Sequence, residues 1–159
     1  MSQEEIAKWL KVITGGIGMM GVVFFFLFVP MLAGEMKDGY PEAACLYWPG
    51  LIYNFVIASV CYAILFCFWT VCCQIGRDNS FSKENAMAFK RISRLAVLLA
   101  AIWFAGFACL VALRCLHPAM LLFLIFAMFI SFAVAICAAA LSHLVLKAYE
   151  LRQENELTI

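Results

Sequence analysis

Four long apolar stretches constrain this chain more than any other feature. They lie at about residues 12–33, 48–74, 95–116 and 119–146. A helix rises about 1.5 Å per residue, so about 20 apolar residues cross the hydrocarbon core of a bilayer, which is about 30 Å thick. The sequence therefore predicts an all-α, polytopic membrane protein whose four transmembrane helices form an antiparallel bundle.

The composition agrees with a membrane environment. Of the 159 residues, 67% are hydrophobic, whereas soluble domains are about 45–50% apolar. The net charge is +1, so the bulk charge gives no reason to expect direct binding of nucleic acid. The residues from Met1 to Glu5 are acidic rather than basic. We therefore expect the first apolar stretch to remain as a membrane helix and not to act as a signal peptide.

The positions of the basic residues predict the orientation in the membrane. If both termini are cytoplasmic, the outer side has only Lys37 and Arg114. Loops with an excess of Lys and Arg face the cytoplasm, so the sequence predicts that both termini are inside. The basic residues then on the cytoplasmic side are Lys8, Lys11, Arg77, Lys83, Lys90, Arg91, Arg94, Lys147 and Arg152.

We expect a single domain over residues 1–159. The predicted helices are about 6–33, 48–74, 83–116 and 118–152, with an outer loop at 34–48, a cytoplasmic loop at 75–91 and a cytoplasmic tail at 147–159. Ser82 is the predicted N-cap of the third helix, because a serine side chain accepts a hydrogen bond from the first turn. The apolar part of this helix begins at about residue 95, so its first turns are expected to project into the cytoplasm.

Two lines of residues at four-residue spacing predict the bundle interior. They run over residues 54–74 in the second helix and 127–143 in the fourth. Polar groups in lipid favour the interior, and small residues favour close helix packing. We expect the two lines to touch, through Ala58 and Tyr62 on one side and Ala135 and Ala139 on the other. The polar members of these lines are Asn54, Tyr62, Thr70, Ser131 and His143.

Several chemistries are disfavoured by what the predicted spans contain. They have no carboxylate, which argues against an ion pump or a proton-coupled transporter. His117 and His143 are 26 residues apart, about 39 Å along one helix, so they cannot bind one haem. The cysteines form no Cys-x-x-Cys pair. We predict no catalytic residues, no metal, no cofactor and no enzymatic activity. A disulfide between Cys45 and Cys115 stays open, because pairing cannot be deduced from sequence.

The passage from Gly76 to Ser93 carries a recognisable signature. Gly-Arg-Asp-Asn-Ser-Phe-Ser-Lys-Glu-Asn, followed by Lys-Arg-Ile-Ser, resembles the motif of the bacterial domain-of-unknown-function 2975 family. The ending Glu-Leu-Thr-Ile at residues 156–159 is similar to the usual terminus of that family. The resemblance implies a small protein of the bacterial plasma membrane with uncharacterised activity. It also implies a partner, since members are often encoded beside a small helix-turn-helix DNA-binding protein.

We interpret the cytoplasmic end as a docking surface for such a partner, and the protein as a non-enzymatic regulator or sensor. Phe81 is expected to pack on the inner end of the bundle as a hydrophobic staple. A simpler explanation is that the basic residues are the ordinary flank of a membrane helix, which attracts anionic lipid. The docking candidates are Arg77, Phe81, Phe89, Lys90, Arg91, Arg94, Glu154 and Glu156.

Two alternatives remain open. One is a carrier or export accessory for a lipid or a lipophilic small molecule, and a less favoured one is a membrane enzyme acting on a lipid or quinone. A cavity between the helices with convergent polar groups would favour either alternative, whereas a closed bundle with an exposed basic surface would favour the regulator. The bilayer itself is the expected partner in every case, and homo-oligomerisation stays open.

Overall fold

A computed structural model describes residues 3–39, 41–77, 79–114 and 118–157. This part of the chain is helical and has no strand. Four helical stretches are long and apolar enough to cross a membrane, and α1 and α2 together form the first of them. The elements are α1 (Gln3–Val22), a π-helical turn (Val23–Phe28), α2 (Val29–Gly39), a 3₁₀ helix (Pro41–Leu46), α3 (Tyr47–Ile75), α4 (Lys83–Ala112) and α5 (Pro118–Leu157).

The structure corrects two of the predicted helix boundaries. The expected outer loop at 34–48 is mostly helical, because α2 continues to Gly39 and a 3₁₀ helix follows. The expected tail at 147–159 is also helical as far as it is described, since α5 reaches Leu157. Residues 34–39 of α2 and 147–157 of α5 contain no proline, the residue that most strongly ends a helix, and Pro41 stands at the first position of the 3₁₀ helix, where proline is tolerated.

Two other boundaries agree more closely with the expectation. The predicted second helix is confirmed as α3, and Ser82 is confirmed as the N-cap of α4, where its Oγ accepts a hydrogen bond from the backbone N–H of Asn85 at 3.2 Å. α4 ends at Ala112, four residues earlier than expected. The reason is local, because Arg114 adopts a left-handed conformation with φ of 54°, and such a residue ends a helix.

Successive membrane helices pack side by side and antiparallel. The first span packs on α3, α3 on α4, and α4 on α5. Among the described residues, α3 and α5 have no Cα atoms within 8 Å of each other. The predicted contact between the second and fourth helices is therefore wrong.

Small residues explain why α5 packs on α4 instead of α3. Ala135 and Ala138 on α5, and Ala96 and Ala100 on α4, are all buried. Small side chains let two backbones approach closely enough for hydroxyl groups to bridge them. The Oγ of Ser93 donates to the carbonyl of Ala135 at 2.9 Å across this interface. The small-residue line of the fourth helix is thus a packing face at Ser131 and Ala135, with α4 as its partner, whereas Ala139 of the same line is exposed.

Candidate functional site

A cavity of about 470 Å³ lies between the helices, in the half of the bundle away from both termini. All four membrane-spanning stretches contribute to its wall, with Phe25 from the π-helical turn, Tyr53 from α3, Trp103 from α4 and Phe123 from α5. Trp103 is the centre of an aromatic chain, with ring centroids 6.1 Å from Tyr53 and 5.7 Å from Phe123. Edge-to-face contacts of this kind hold rings in defined positions, so the wall is preformed.

A close approach between α3 and α4 positions Tyr53 in this wall. Its hydroxyl donates to the carbonyl of Ile102 at 2.9 Å. A Cβ atom at Gly106 would overlap the Tyr53 hydroxyl group. Glycine at position 106 is therefore what allows the tyrosine to cross to α4.

The π-helical turn supplies the second polar feature of the cavity. The backbone N–H of Val29 donates to the carbonyl of Phe24, five residues back. The same pattern would pair Phe25 with residue 30, but Pro30 has no N–H to donate. The Nδ2 of Asn54 fills this role and donates to the Phe25 carbonyl at 3.0 Å. A side chain of α3 thus satisfies a carbonyl that the turn and the proline leave without a helical partner.

Lys37 is the charged residue among the described residues of the cavity wall. Its side chain is exposed, and its Nζ lies 5.2 Å from the centroid of the Tyr47 ring. Cations are attracted to an aromatic face at this distance. The cavity therefore combines an apolar interior with one positive charge near its edge, which suits a molecule with an apolar body and a polar or anionic end.

A shallower apolar groove of about 450 Å³ lies between α1 and α3, at the level of Gly18 and Tyr62. The Tyr62 hydroxyl donates to the carbonyl of Gly18 at 2.7 Å. A Cβ atom at Gly21 would lie 3.0 Å from the same hydroxyl oxygen. The glycines at 18 and 21 therefore serve close helix packing here, while a Cβ atom at Gly15 or Gly16 would meet nothing within 4 Å.

The connection between α3 and α4 shows what the sequence signature does structurally. The Nδ2 of Asn85 donates to the carbonyls of Asn79 and Ser80, at 3.2 and 3.0 Å. Asn85 is only 1% exposed, so this connection is tied to the first turn of α4 from inside. Phe81 lies between the anchored residues and is 55% exposed. The prediction that Phe81 packs on the bundle as a staple is wrong, because more than half of its surface is exposed.

The docking candidates lie at or near one end of the bundle, where α3 ends, α4 begins and α5 ends. Phe89 is half-buried, and the side chain of Glu156 lies outside the described residues, as does Cys115 with its suggested disulfide. The exposed candidates are Arg77, Phe81, Lys90, Arg91, Arg94 and Glu154.

The prediction of interior polar residues is correct for part of each line. Asn54 and Ser131 are buried, and Tyr62 is half-buried, but Thr70 and His143 are exposed. The reason is geometric, because a four-residue step turns a helix by about 40° more than one full turn. The four steps from Asn54 to Thr70 amount to about 160°, and the three from Ser131 to His143 to about 120°, which carries each line from the interior to the outside.

Other parts of the site were missed by the sequence analysis. Nothing in the sequence shows that a π-helical turn precedes Pro30 or that Asn54 reaches this turn. Gly106 and Tyr53 are 53 positions apart, so their contact has no local signal. Among the described residues, no three His, Cys, Asp or Glu side chains come together in a way that could hold a metal ion.

The helical architecture and the apolar cavity define a small polytopic membrane protein with four spans. The chain belongs to the family described as "Protein of unknown function (DUF2975)", which matches residues 31–159. It is similar to the uncharacterized membrane protein YoaS of Bacillus subtilis (strain 168), with 25% identity over 153 residues, or 95% of this chain and 96% of that protein. No solved structure matches the chain.

Proposed function

We propose that the protein binds a lipophilic molecule, such as a single acyl chain, in the cavity between its four spans. The observation that carries this proposal is the cavity itself, since about 470 Å³ falls within the range of about 300–1,000 Å³ typical of ligand pockets. The function is then that of a carrier or sensor for an amphiphile. We place it in the bacterial plasma membrane with both termini in the cytoplasm, as the positive-inside rule predicts.

The polar groups in the wall support a binding role over a catalytic one. The Tyr53 hydroxyl and the Asn54 amide each donate to a backbone carbonyl of a neighbouring helix. Groups engaged in this way hold the wall in shape, whereas a general acid or base must be free to exchange a proton with a bound molecule. The remaining wall is mainly apolar, which favours an acyl chain or a similar hydrocarbon group.

Trp103 offers a direct test, because it lies in the cavity wall. Replacing Trp9, Trp48 and Trp69 by phenylalanine leaves Trp103 as the single tryptophan. The variant would be placed in phosphatidylcholine nanodiscs and titrated with dibromostearic acid, whose bromines quench tryptophan on contact. We expect quenching that saturates, as binding to a defined site requires.

A matched pair of variants separates binding from partition into the bilayer. A Cβ atom at Gly50, in the cavity wall, or at Gly16, outside it, would meet nothing within 4 Å. Gly50→Leu fills part of the cavity, and excluding one ligand methylene weakens binding about fourfold. Gly16→Leu is expected to leave the affinity unchanged. Quenching that rises linearly without saturation, or that is equal in both variants, would contradict the cavity proposal.

We propose partner docking at the cytoplasmic end as a second function, because an exposed phenylalanine held by an anchored backbone is typical of an interaction site. Phe81 keeps 55% of its surface exposed, and Arg77 lies beside the same connection and is exposed. Protein interfaces concentrate their binding energy in a few such aromatic and arginine side chains. The proposed partner is the small helix-turn-helix regulator that the family resemblance implies.

Retention of that regulator on membranes tests this second proposal. Phe81→Ser is expected to release the co-expressed regulator from isolated membranes, while Lys83→Ser, also exposed and two residues further on, should retain it. Both variants should melt like the parent protein, because neither side chain is buried. If both variants retain the regulator equally, Phe81 does not dock it.

A further inference from the structure

The packing of α4 against α5 fixes which residues lie at the same depth in the membrane. The Oγ of Ser93 donates to the Ala135 carbonyl at 2.9 Å, and the Oγ of Ser142 donates to the Ala86 carbonyl at 2.7 Å. Both bonds join residues that are level with each other in this antiparallel pair. Residues 90–94 of α4 therefore lie level with about residues 134–138 of α5.

This register places three basic residues of α4 further from the ends of the bundle than the charged residues of its neighbours. Lys147, the first Lys, Arg, Asp or Glu of α5, is nine positions beyond Ala138, about 14 Å along the helix. On the other side, Tyr53 is level with Ile102 through its hydrogen bond, so Lys90 is level with about residue 65 of α3. Arg77 is twelve positions beyond residue 65, about 18 Å. The cations of α4 thus lie closer to the bilayer centre than the charges that end both neighbouring helices.

Lys90, Arg91 and Arg94 form one outward face of α4, which we call the basic face. They fall within about 100° around the helix, all three are exposed, and the buried Ile92 and Ala96 lie on other sides. The chain has no Asp or Glu between residues 84 and 150. After the first turn of α4, neither α4 nor the facing part of α5 therefore has a carboxylate at this depth.

The basic face and the neighbouring surface of α5 favour different surroundings: the cations favour water or anions, and the apolar side chains of α5 favour hydrocarbon. At this depth α5 exposes Ile136, by 69%, and further toward the C-terminal end of α5 it exposes Leu141 and Leu144, by 44% and 61%. A bilayer that ends at the basic face would leave these side chains in water. A bilayer that covers them would surround the cations with hydrocarbon, which is costly for each charge. An anionic group bound at the basic face would neutralise the cations while the bilayer still covers the apolar side chains.

We propose that the basic face binds the phosphate of an anionic phospholipid, in the leaflet that the charge bias assigns to the cytoplasmic side. A lipid brings the negative charge that the chain lacks at this depth, and its acyl chains cover the apolar side chains of α5. Clusters of Lys and Arg at this boundary recognise anionic headgroups. A second copy of the chain is a poorer occupant, because it would bring no carboxylate from its own spans.

Native mass spectrometry of the delipidated full-length protein tests the proposal. The probes are phosphatidylglycerol and phosphatidylcholine with identical acyl chains, offered in equal amounts. We expect a preference of about tenfold or more for phosphatidylglycerol, since each basic residue near an anionic surface contributes to attraction. An excess of inorganic phosphate should not displace the lipid. No preference in the unsubstituted protein, or displacement by phosphate alone, would overturn the proposal whatever the variants do.

Three variants locate the site. Lys90→Gln/Arg91→Gln/Arg94→Gln should lose the preference, and the charge-conserving Arg91→Lys/Arg94→Lys should retain it. A control with the same loss of charge at the helix ends, Lys8→Gln/Arg77→Gln/Lys147→Gln, should also retain it. A preference that survives in the first variant, or disappears equally in the control, would show that net charge and not the basic face selects the lipid.

Discussion

The hydrogen bond from Asn54 to the Phe25 carbonyl predicts a stability effect that depends on a proline elsewhere in the chain. Asn54 is 7% exposed, and its Nδ2 lies 3.0 Å from the carbonyl oxygen. Asn54→Leu keeps a similar volume but removes the donor. We expect the free energy of unfolding to fall by about 1–2 kcal/mol, because an unsatisfied buried carbonyl costs about 1–3 kcal/mol, while hydrogen bonds between membrane helices average about 0.6 kcal/mol.

The same reasoning predicts coupling between Asn54 and Pro30. Pro30→Ala restores a backbone N–H at the position where the π-helical pattern lacks one. In that background the Phe25 carbonyl has a donor within its own helix, so Asn54→Leu should cost about 1 kcal/mol less. Deviation from additivity in a double-mutant cycle measures this interaction.

The assay is reversible unfolding of the four proteins of the cycle in mixed micelles, with sodium dodecyl sulfate as the denaturant. Thr70→Val is the control, because Thr70 is exposed and its hydroxyl donates only to the Phe66 carbonyl of its own helix. It should change the free energy of unfolding by less than about 0.5 kcal/mol. If Asn54→Leu costs the same with Pro30 and with alanine at that position, Pro30 does not create the need for the Asn54 donor.

Three further predictions concern capping, packing and topology. Ser82→Ala should destabilise the protein by about 1 kcal/mol in the same assay, because it removes the N-cap of α4. Ala135→Leu should cost about 1–3 kcal/mol, since Ala135 is buried against α4, whereas Ala139→Leu on the exposed side should cost little. Equal tolerance of leucine at both positions would contradict the α4–α5 packing. Cysteines introduced for Asp38 and Ser80, in a background without other accessible cysteines, should react with a membrane-impermeant thiol reagent in intact cells only at position 38; labelling at position 80 would reverse the assigned topology.

The helices could be predicted from the sequence because membrane insertion depends on local composition. An apolar stretch of sufficient length forms a helix in a bilayer, since only a helix satisfies its backbone groups within one segment. The cap at Ser82 is local for the same reason, as the serine and the first turn of α4 are neighbours in sequence. The helix ends at Gly39 and Leu157 were harder to predict, because polar residues can continue a helix beyond the apolar stretch that begins it.

The choice of packing partners could not be predicted in the same way. The line from Asn54 to Thr70 and the line from Ser131 to His143 both looked like interior faces, yet each winds from the inside of the bundle to the outside. Which turn of a helix is buried depends on the direction of its neighbours, and that information is not in the spacing along one helix.

The sequence by itself determined the number of membrane spans, the family, and a local cap, because length, apolar content and short motifs act within one segment. Only the tertiary structure decided that Asn54 supplies the donor missing at Pro30, that Gly106 makes room for Tyr53, and that the cations of α4 lie level with apolar residues of α5. The physical reason is that each of these contacts joins two helices. Their relative depth and rotation are set by close packing along their whole length.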